Sequence, residues 1–312
     1  MATTAADQAC DYCGGNSAFA RYDLGTHRIL RCPECTFMWL DPQPTADELH
    51  EVYGEDYYSN QRFYEGNGEA IYGYHDYVSE RFVKQQDHQR IVDRIVEFLS
   101  PDGDGAHGER TAPGLLDIGC GYGYLLDVAH DRGFDVEGID CNRTAVDRIA
   151  RKYRFRAVCG DFMAYDGATR DVVTMMDVIE HLPRPFDALS KAASLTRPGG
   201  IFALSTMDSD SIVSRMLGQR LEDFRRTREH LYFFNRRTMR GSLERAGFDV
   251  MRIDSYGLTI RIDSLARRAR MALPRAGAVM ERMVRWSGLS AQQVHFDPRT
   301  KMVVYARRRD PA

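Results

Sequence analysis

The sequence predicts an α/β protein: a mainly parallel sheet with helices on both faces, preceded by a small cysteine-held module. Three observations carry this. A short apolar run, Leu115-Leu116-Asp117-Ile118, enters a turn with glycine at every second position, Gly119, Gly121 and Gly123. Behind the turn, apolar strand-like runs alternate with helical periodicities as far as residue 206. Ahead of it, Cys10, Cys13, Cys32 and Cys35 form two C-x2-C pairs separated by 18 residues.

Length and composition set the bounds. A chain of 312 residues can hold one large domain and a small one. Its 43% apolar and 28% charged residues are ordinary for a soluble globular protein. A net charge of −3 supplies no global basic field, which disfavours a nucleic-acid partner. The N-terminus has no basic-then-apolar signal, and no apolar run reaches about 18 residues, so a cytoplasmic protein without a membrane span is expected.

The cysteine module comes first. Each C-x2-C turn can present two thiolates to one tetrahedral ion, the pattern of a zinc ribbon. Gly14, Gly15 and Pro33 supply turn residues, and residues 19–30 suit a hairpin. So small a core cannot stabilise itself, so a metal would contribute folding energy. Two disulfides or a redox pair are the other readings, and the lack of a secretion signal disfavours disulfides. Four thiolates fill the coordination sphere, which makes the expected zinc structural and not catalytic.

Asp41-Pro42-Gln43-Pro44 then breaks the chain, and Thr45-x-x-Glu48 is a capping box that starts a short helix. An aromatic run follows: Tyr53, Tyr57, Tyr58, Phe63, Tyr64, Tyr72, Tyr74 and Tyr77. These rings either form a lid over a bound cation, with Tyr57 and Tyr58 the preferred pair, or glue the ribbon to the main domain. Residues 79–99 form a helix with Ile91, Val92, Ile95, Phe98 and Leu99 on one face, and 100–113 is a Gly/Pro/charged linker.

In the α/β unit, Tyr122, Leu125, Leu126 and Ala129 share a helix face behind the glycine turn. Val146, Ile149, Ala150 and Tyr153 mark the next helix, and residues 186–195 another. Residues 207–234 break the alternation and carry Arg215, Arg220, Arg225, Arg226 and Arg228. This cluster is either a solvated face or a seat for an anionic substrate. Asn235 caps a helix closed by Gly247. Residues 248–256 and 302–306 read as strands. Between them, 262–286 is helical and basic, interrupted at Pro274, and is either packed on the core or turned to a membrane surface or partner.

The glycine turn narrows the ligand. A dinucleotide fingerprint would need a third glycine at 124, where Tyr124 stands. The pattern is D-x-G-x-G-x-G, and Asp140 ends the next apolar run 19 residues after Gly121. That is about the spacing at which a carboxylate meets ribose hydroxyls. Gly160-Asp161-Phe162, the DVVTMMDVIEH run at 171–181, and Arg197-Pro198-Gly199-Gly200 follow in order. Together these resemble the class I S-adenosylmethionine (SAM) methyltransferases over about residues 113–206. The E-H-L-x-x-F box at 229–234 resembles the same family. The ribbon with D-P-x-P-T-x-x-E-L and Y-G-E-D-Y-Y resembles the front end of a bacterial group tied to sugar, polysaccharide and secondary-metabolite chemistry.

The resemblance implies a Rossmann-like seven-stranded sheet with strand seven antiparallel between strands five and six. It implies a ribbon at 1–40, an aromatic-rich helical lid or linker at 41–112, and a SAM-binding domain at 113–312 with insertions at 207–234 and 259–298. Asp117, Gly119 and Gly121 would bracket the methionine part of SAM, Asp140 the ribose, and Asp161 with Phe162 the adenine. Cys120, Cys141 and Met176 complete the expected cofactor set. His181 and His230 are the candidate bases, and Tyr57, Tyr58, Arg225, Arg226 and Tyr232 the candidate substrate residues. The expected reaction is methyl transfer to a small-molecule acceptor such as a sugar, nucleotide-sugar or secondary metabolite. A zinc-ribbon rRNA methyltransferase and a non-catalytic SAM-binding protein are the alternatives.

Overall fold

The computed structural model describes residues 9–59, 74, 77–99 and 112–310. Phe63, Tyr64 and Tyr72 of the aromatic run, and 100–111 of the expected linker, lie outside the described residues. In chain order the strands and helices are β1 (Phe19–Asp23), β2 (Arg28–Arg31), β3 (Met38–Asp41), α1 (Ala46–Val52), α2 (Arg81–Leu99), β4 (Gly114–Ile118) and α3 (Tyr124–Asp131). Then come β5 (Asp135–Asp140), α4 (Arg143–Lys152), β6 (Arg156–Cys159), β7 (Arg170–Met176), α5 (Pro185–Leu195), β8 (Thr196–Met207), α6 (Ile212–Leu217), α7 (Glu222–Arg225) and β9 (Tyr232–Phe233). The last are α8 (Arg236–Arg245), β10 (Phe248–Ser255), β11 (Leu258–Arg261), α9 (Ile262–Ala272), α10 (Pro274–Ser287), β12 (Gln293–Phe296) and β13 (Lys301–Arg308).

The central sheet has seven strands in the order β10-β13-β8-β7-β4-β5-β6. The pairs β7–β8, β4–β7, β4–β5 and β5–β6 are parallel, while β13 runs antiparallel to both β8 and β10. This is the Rossmann-like sheet that the family resemblance implies, its last strand inserted between the fifth and sixth. Burial on both faces explains the apolar runs: β4 is buried at every residue. Helix α4 shows how the intervening elements form. Asn142 caps it by accepting from the Ala145 N–H, and Ala145, Val146 and Ile149 turn inward.

One helix begins later than its periodicity suggests. Gly123 sits in the left-handed region at φ 75°, so α3 starts at Tyr124. Tyr122 is left on the loop, where it joins an aromatic cluster instead of the helix face.

The ribbon is not a separate body. β1, β2 and β3 form an antiparallel sheet whose fourth strand is β9, with Met38 opposite Phe233 and Trp39 opposite Tyr232. Phe37 and Trp39 are buried in the same cluster as Phe202, Leu204 and Phe248 of the main sheet. A boundary at residue 40 therefore cuts through shared packing. Isolated short strands are marginal in water, and the borrowed strand and the shared core supply what the module lacks.

On the other side, Asp87 of α2 accepts from the Thr259 N–H at 2.9 Å and from its hydroxyl at 2.8 Å, tying α2 to β11. β11 pairs with β12, and between them α9 and α10 form a hairpin broken at Leu273-Pro274. Among the described residues no helix is long and apolar enough to cross a membrane.

Candidate active site and metal centre

The glycine turn lies at the C-terminal end of β4, where ligands of open α/β sheets sit. Gly119, Gly121 and Gly123 all have positive φ. A Cβ on Gly119 would come within 2.3 Å of Val178 Cγ2, so only glycine lets the loop pass the end of β7. The loop is held against β5 by the Gly119 and Cys120 N–H groups, which donate to the Ile139 carbonyl at 2.8 and 3.1 Å.

Asp140 ends β5 and is buried. Its Oδ2 accepts from the Gly121 N–H at 2.8 Å and the Tyr58 hydroxyl at 3.2 Å, and its Oδ1 from the Asn142 N–H at 2.8 Å. Burial raises its pKa, and those donors oppose the rise. Asp117 is buried behind the loop and accepts from the Thr174 hydroxyl at 2.6 Å. Burial pushes its carboxyl up to about 7, against the Thr174 bond and with the Asp140 charge.

The rest of the expected cofactor set divides. Asp161 caps a single turn of 3₁₀ helix by accepting from the Met163 N–H at 2.9 Å, beside Gly160, whose Cα side is open. Met176 is half-buried at the end of β7. The Cys141 thiol is exposed. The Cys120 thiol packs against Gly138 in the core, and the Phe162 ring belongs to the main core cluster. Neither of these side chains forms an open crevice wall.

The described tyrosines of the aromatic run pack on the main domain. Tyr57 and Tyr58 lie on one 3₁₀ turn and are buried with Tyr77, Tyr122 and Tyr124. The Tyr58 ring centroid is 4.7 Å from that of Tyr122, and its hydroxyl lies 3.1 Å from the Cβ that Gly121 lacks.

A second group of polar side chains gathers beyond β7 and β8. His181 and His230 meet edge to face with centroids 4.8 Å apart. His181 Nδ1 bonds the Tyr53 hydroxyl at 2.8 Å, and the Glu229 carbonyl also receives the ring. Burial and then Arg226 push its pKa down to about 3. His230 is driven well below its ordinary value by burial, then by His181 and Arg226. Its Nδ1 has no hydrogen-bond partner among the described residues, and neither has the buried Glu180 Oε2. Burial, then Asp177, lifts the Glu180 carboxyl to about 8.

Sequence reasoning missed several members of this group. Asp177, at φ 55°, pairs with Lys301 at 2.8 Å and accepts from the Ser205 hydroxyl at 2.8 Å. Burial opposes its ionisation, but Lys301 holds Asp177 well below the usual carboxylate range. Tyr53 and Lys301 lie 128 and 124 residues from their partners, and no local pattern links them.

Two expected substrate residues are tied up in internal contacts. Arg226, expected at a pocket mouth, is buried, pairs with Glu222 at 3.0 Å and with Glu229, and stands over the Tyr74 ring. Desolvating a guanidinium demands such partners, so the carboxylates that flank it draw it inside. Arg225 beside it is half-buried. The Tyr232 hydroxyl donates to Asp11 Oδ2 and the Pro183 carbonyl, both at 3.1 Å, and its ring stacks on Phe37. Its place on β9 makes it a link to the ribbon and not a pocket wall.

A cavity of about 280 Å³ opens between α2 and the β11–α9 segment. Val83, Leu258 and Ile260 give it apolar walls; Lys84, Arg261 and Arg267 line it together with Glu80, Asp87 and Asp263, and Asp263 pairs with both arginines. The Lys84 ammonium lies 5.0 Å from the Tyr74 centroid, and its charge also reaches Asp177. The cavity therefore borders the tyrosine cluster and the loop after β7.

The four ribbon cysteines converge. Their sulfurs all lie within 4.8 Å of one another, with Cys10 to Cys35 at 3.5 Å and Cys13 to Cys32 at 3.6 Å. Those distances are far beyond a disulfide bond of about 2.05 Å, and the close pairs join different knuckles. Burial pushes Cys10 up to about 11, while N–H groups of Cys13 and Tyr12 oppose it. At Cys32 the N–H groups of Cys35 and Glu34 overcome burial and lower the pKa. Main-chain donors aimed at converging sulfurs suit thiolates on one ion, so the residues fit a structural zinc.

The profile of a family described as "Methyltransferase domain" matches residues 82–253. A ubiquinone biosynthesis O-methyltransferase of Vibrio parahaemolyticus is 29% identical over 122 residues, covering 36% of this chain and 50% of that protein. One from Bordetella avium is 36% identical over 103 residues, covering 30% of this chain and 42% of that protein. The chain thus spans about half the length of these curated relatives. Among solved structures, the magnesium protoporphyrin IX methyltransferase of Synechocystis PCC 6803 with bound SAH aligns at a TM-score of 0.51. It is 18% identical, covering 85% of this chain and all of that one, a likeness of fold.

Proposed function

The chain belongs to the methyltransferase-domain family, and on that premise we propose that it moves a methyl group from SAM to a hydroxyl of a small-molecule acceptor. SAM supplies a methyl carbon activated by a sulfonium; the protein must align the two partners and take up a proton. The observation that carries the reading is the Asp140 carboxylate. It is buried at the end of β5, fixed by the Gly121 and Asn142 N–H groups, and set beside a loop that only glycine can form. Such a carboxylate suits ribose hydroxyls. Asp117 suits the amino-acid end, where a cation would favour its ionised form, and Asp161 the base. Calorimetry of the folded, zinc-loaded chain with SAM tests this; no heat of binding would overturn it.

The cavity beside α2 suits the anionic end of an amphipathic acceptor, with its apolar walls and Lys84, and the acceptor's hydroxyl would extend past Asp177 toward His181 and His230. The acceptor's identity as a sugar, nucleotide-sugar or secondary metabolite adds a finer choice, and the names of the relatives favour oxygen as the methylated atom. His230 is the proton acceptor in this reading, because its Nδ1 is the ring nitrogen without a partner among the described residues. His181, engaged by Tyr53, positions it. His230→Ala should lower turnover about 10²–10⁴-fold, the range for a general base, with SAM affinity unchanged. His181→Ala should cost less. Because the His230 pKa lies below its ordinary value of about 6.5, the base form persists as pH falls through that value. The rate of the wild type should then show no loss there. A His230→Ala enzyme with near-normal turnover would remove this assignment.

A further inference from the structure

The large hydrophobic side chains that the fold leaves exposed are concentrated in one place. Of the thirteen among the described residues, seven lie between residues 273 and 296. Val279, Met283 and Trp286 are 58%, 66% and 93% exposed. They stand at i, i+4 and i+7 of α10 and form one stripe, about 10 Å long.

The opposite side of α10 is the packed one. Gly277 and Val284 are buried there, and a Cβ on Gly277 would fall 2.2 Å from the Arg270 Cα of α9. The stripe therefore points away from the protein. Arg275 and Arg282 flank it and Arg285 lies further round the helix, all exposed. No carboxylate pairs with these three among the described residues. Glu281, the one acid of the helix, is turned back to Arg270 at 2.8 Å. The outward face thus joins an apolar stripe and an indole to cations without counter-charge. An interfacial helix on an anionic bilayer has this pattern, and a partner protein would meet these cations with carboxylates of its own.

We propose that α10 seats the protein on an anionic lipid surface, with Val279, Met283 and Trp286 entering the headgroup layer and Arg275, Arg282 and Arg285 meeting phosphates. The inference is independent of the methyl-transfer reading. It adds to it, because α9 both supports α10 and walls the cavity, which brings an acceptor site within one helix of the bilayer.

The chain carries a built-in reporter. Trp39 is 2% exposed and Trp286 is 93% exposed, so a change in indole emission reports Trp286. The full chain is titrated with vesicles of phosphatidylcholine alone, or with about one-third phosphatidylglycerol. With phosphatidylglycerol the emission should shift to the blue and the protein should sediment with the vesicles. Neutral vesicles and high salt should each weaken binding about tenfold or more. The Arg282→Glu/Arg285→Glu pair should do the same with the stripe intact, and Met283→Glu should abolish the shift. Circular dichroism confirms that each surface variant folds. An unshifted indole with phosphatidylglycerol vesicles, or full binding by the double Arg variant, overturns the proposal. So does a blue shift that grows with protein concentration in the absence of lipid, which would assign the stripe to a second copy.

Discussion

Cys35→Ser should release the metal and unfold the N-terminal sheet. The wild-type chain should carry about one zinc, bound by Cys10, Cys13, Cys32 and Cys35. In small zinc modules, binding contributes on the order of 10 kcal/mol of folding energy. Whole domains are stable by only about 5–15 kcal/mol. Ser offers a weaker ligand and leaves three sulfurs crowded without an ion. The loss should reach past the ribbon, because β3 pairs with β9 and Phe37 packs on Phe186, Tyr232 and Phe234. Proteolysis and hydrogen exchange should therefore show residues 229–234 opening together with residues 10–41. Metal analysis that finds no zinc on wild-type protein with four free thiols would rule out the centre. Zinc loss with residues 229–234 still protected would rule out the coupling.

Asp140→Ala should weaken SAM binding about ten- to a hundredfold, the equivalent of about 1.5–3 kcal/mol for charged hydrogen bonds. The substitution also strands the Gly121 and Asn142 N–H groups, so a circular dichroism and melting control belongs with the calorimetry. Tyr58→Phe is the informative companion. Its hydroxyl occupies Asp140 Oδ2 at 3.2 Å, an oxygen that a ribose hydroxyl would claim. Removing it should leave SAM affinity within about threefold of wild type, since one hydrogen bond is exchanged for another. Unchanged affinity in Asp140→Ala would break the ribose assignment.

The parts of this protein written in short-range spacing were legible in its sequence. The cysteine pairs, the glycine turn with Asp140, the Thr45 and Asn235 caps and the break at Pro274 all depend on residues within about 20 positions of one another, or on one repeated turn. What was not legible depends on closure of the chain over long distances. The Met38–Phe233 pairing, the Tyr53–His181 bond and the Asp177–Lys301 pair each join segments more than 120 residues apart. Arg226 illustrates the cost of reading charge alone. A cation in a polar run suggests a surface, and only the fold shows two glutamates and a tyrosine ring enclosing it. Tyr232, expected at the substrate, sits on a two-residue strand that ties it to Asp11 of the ribbon across 221 positions.

The position of β13 has a consequence for how the chain matures. It lies inside the sheet, between β8 and β10, and supplies the Lys301 that pairs with Asp177. β8 ends at Met207 and β13 begins at Lys301, so 94 positions separate them. At a synthesis rate of about 5–20 residues per second, the flank of β8 waits roughly 5–20 s for its neighbour on the ribosome. Through that interval β10 has no strand to join, and the open flank of β8 is a template for any passing strand. The nascent chain should therefore depend most on chaperone protection after most of the Rossmann half has formed, and be released from it by its last strand.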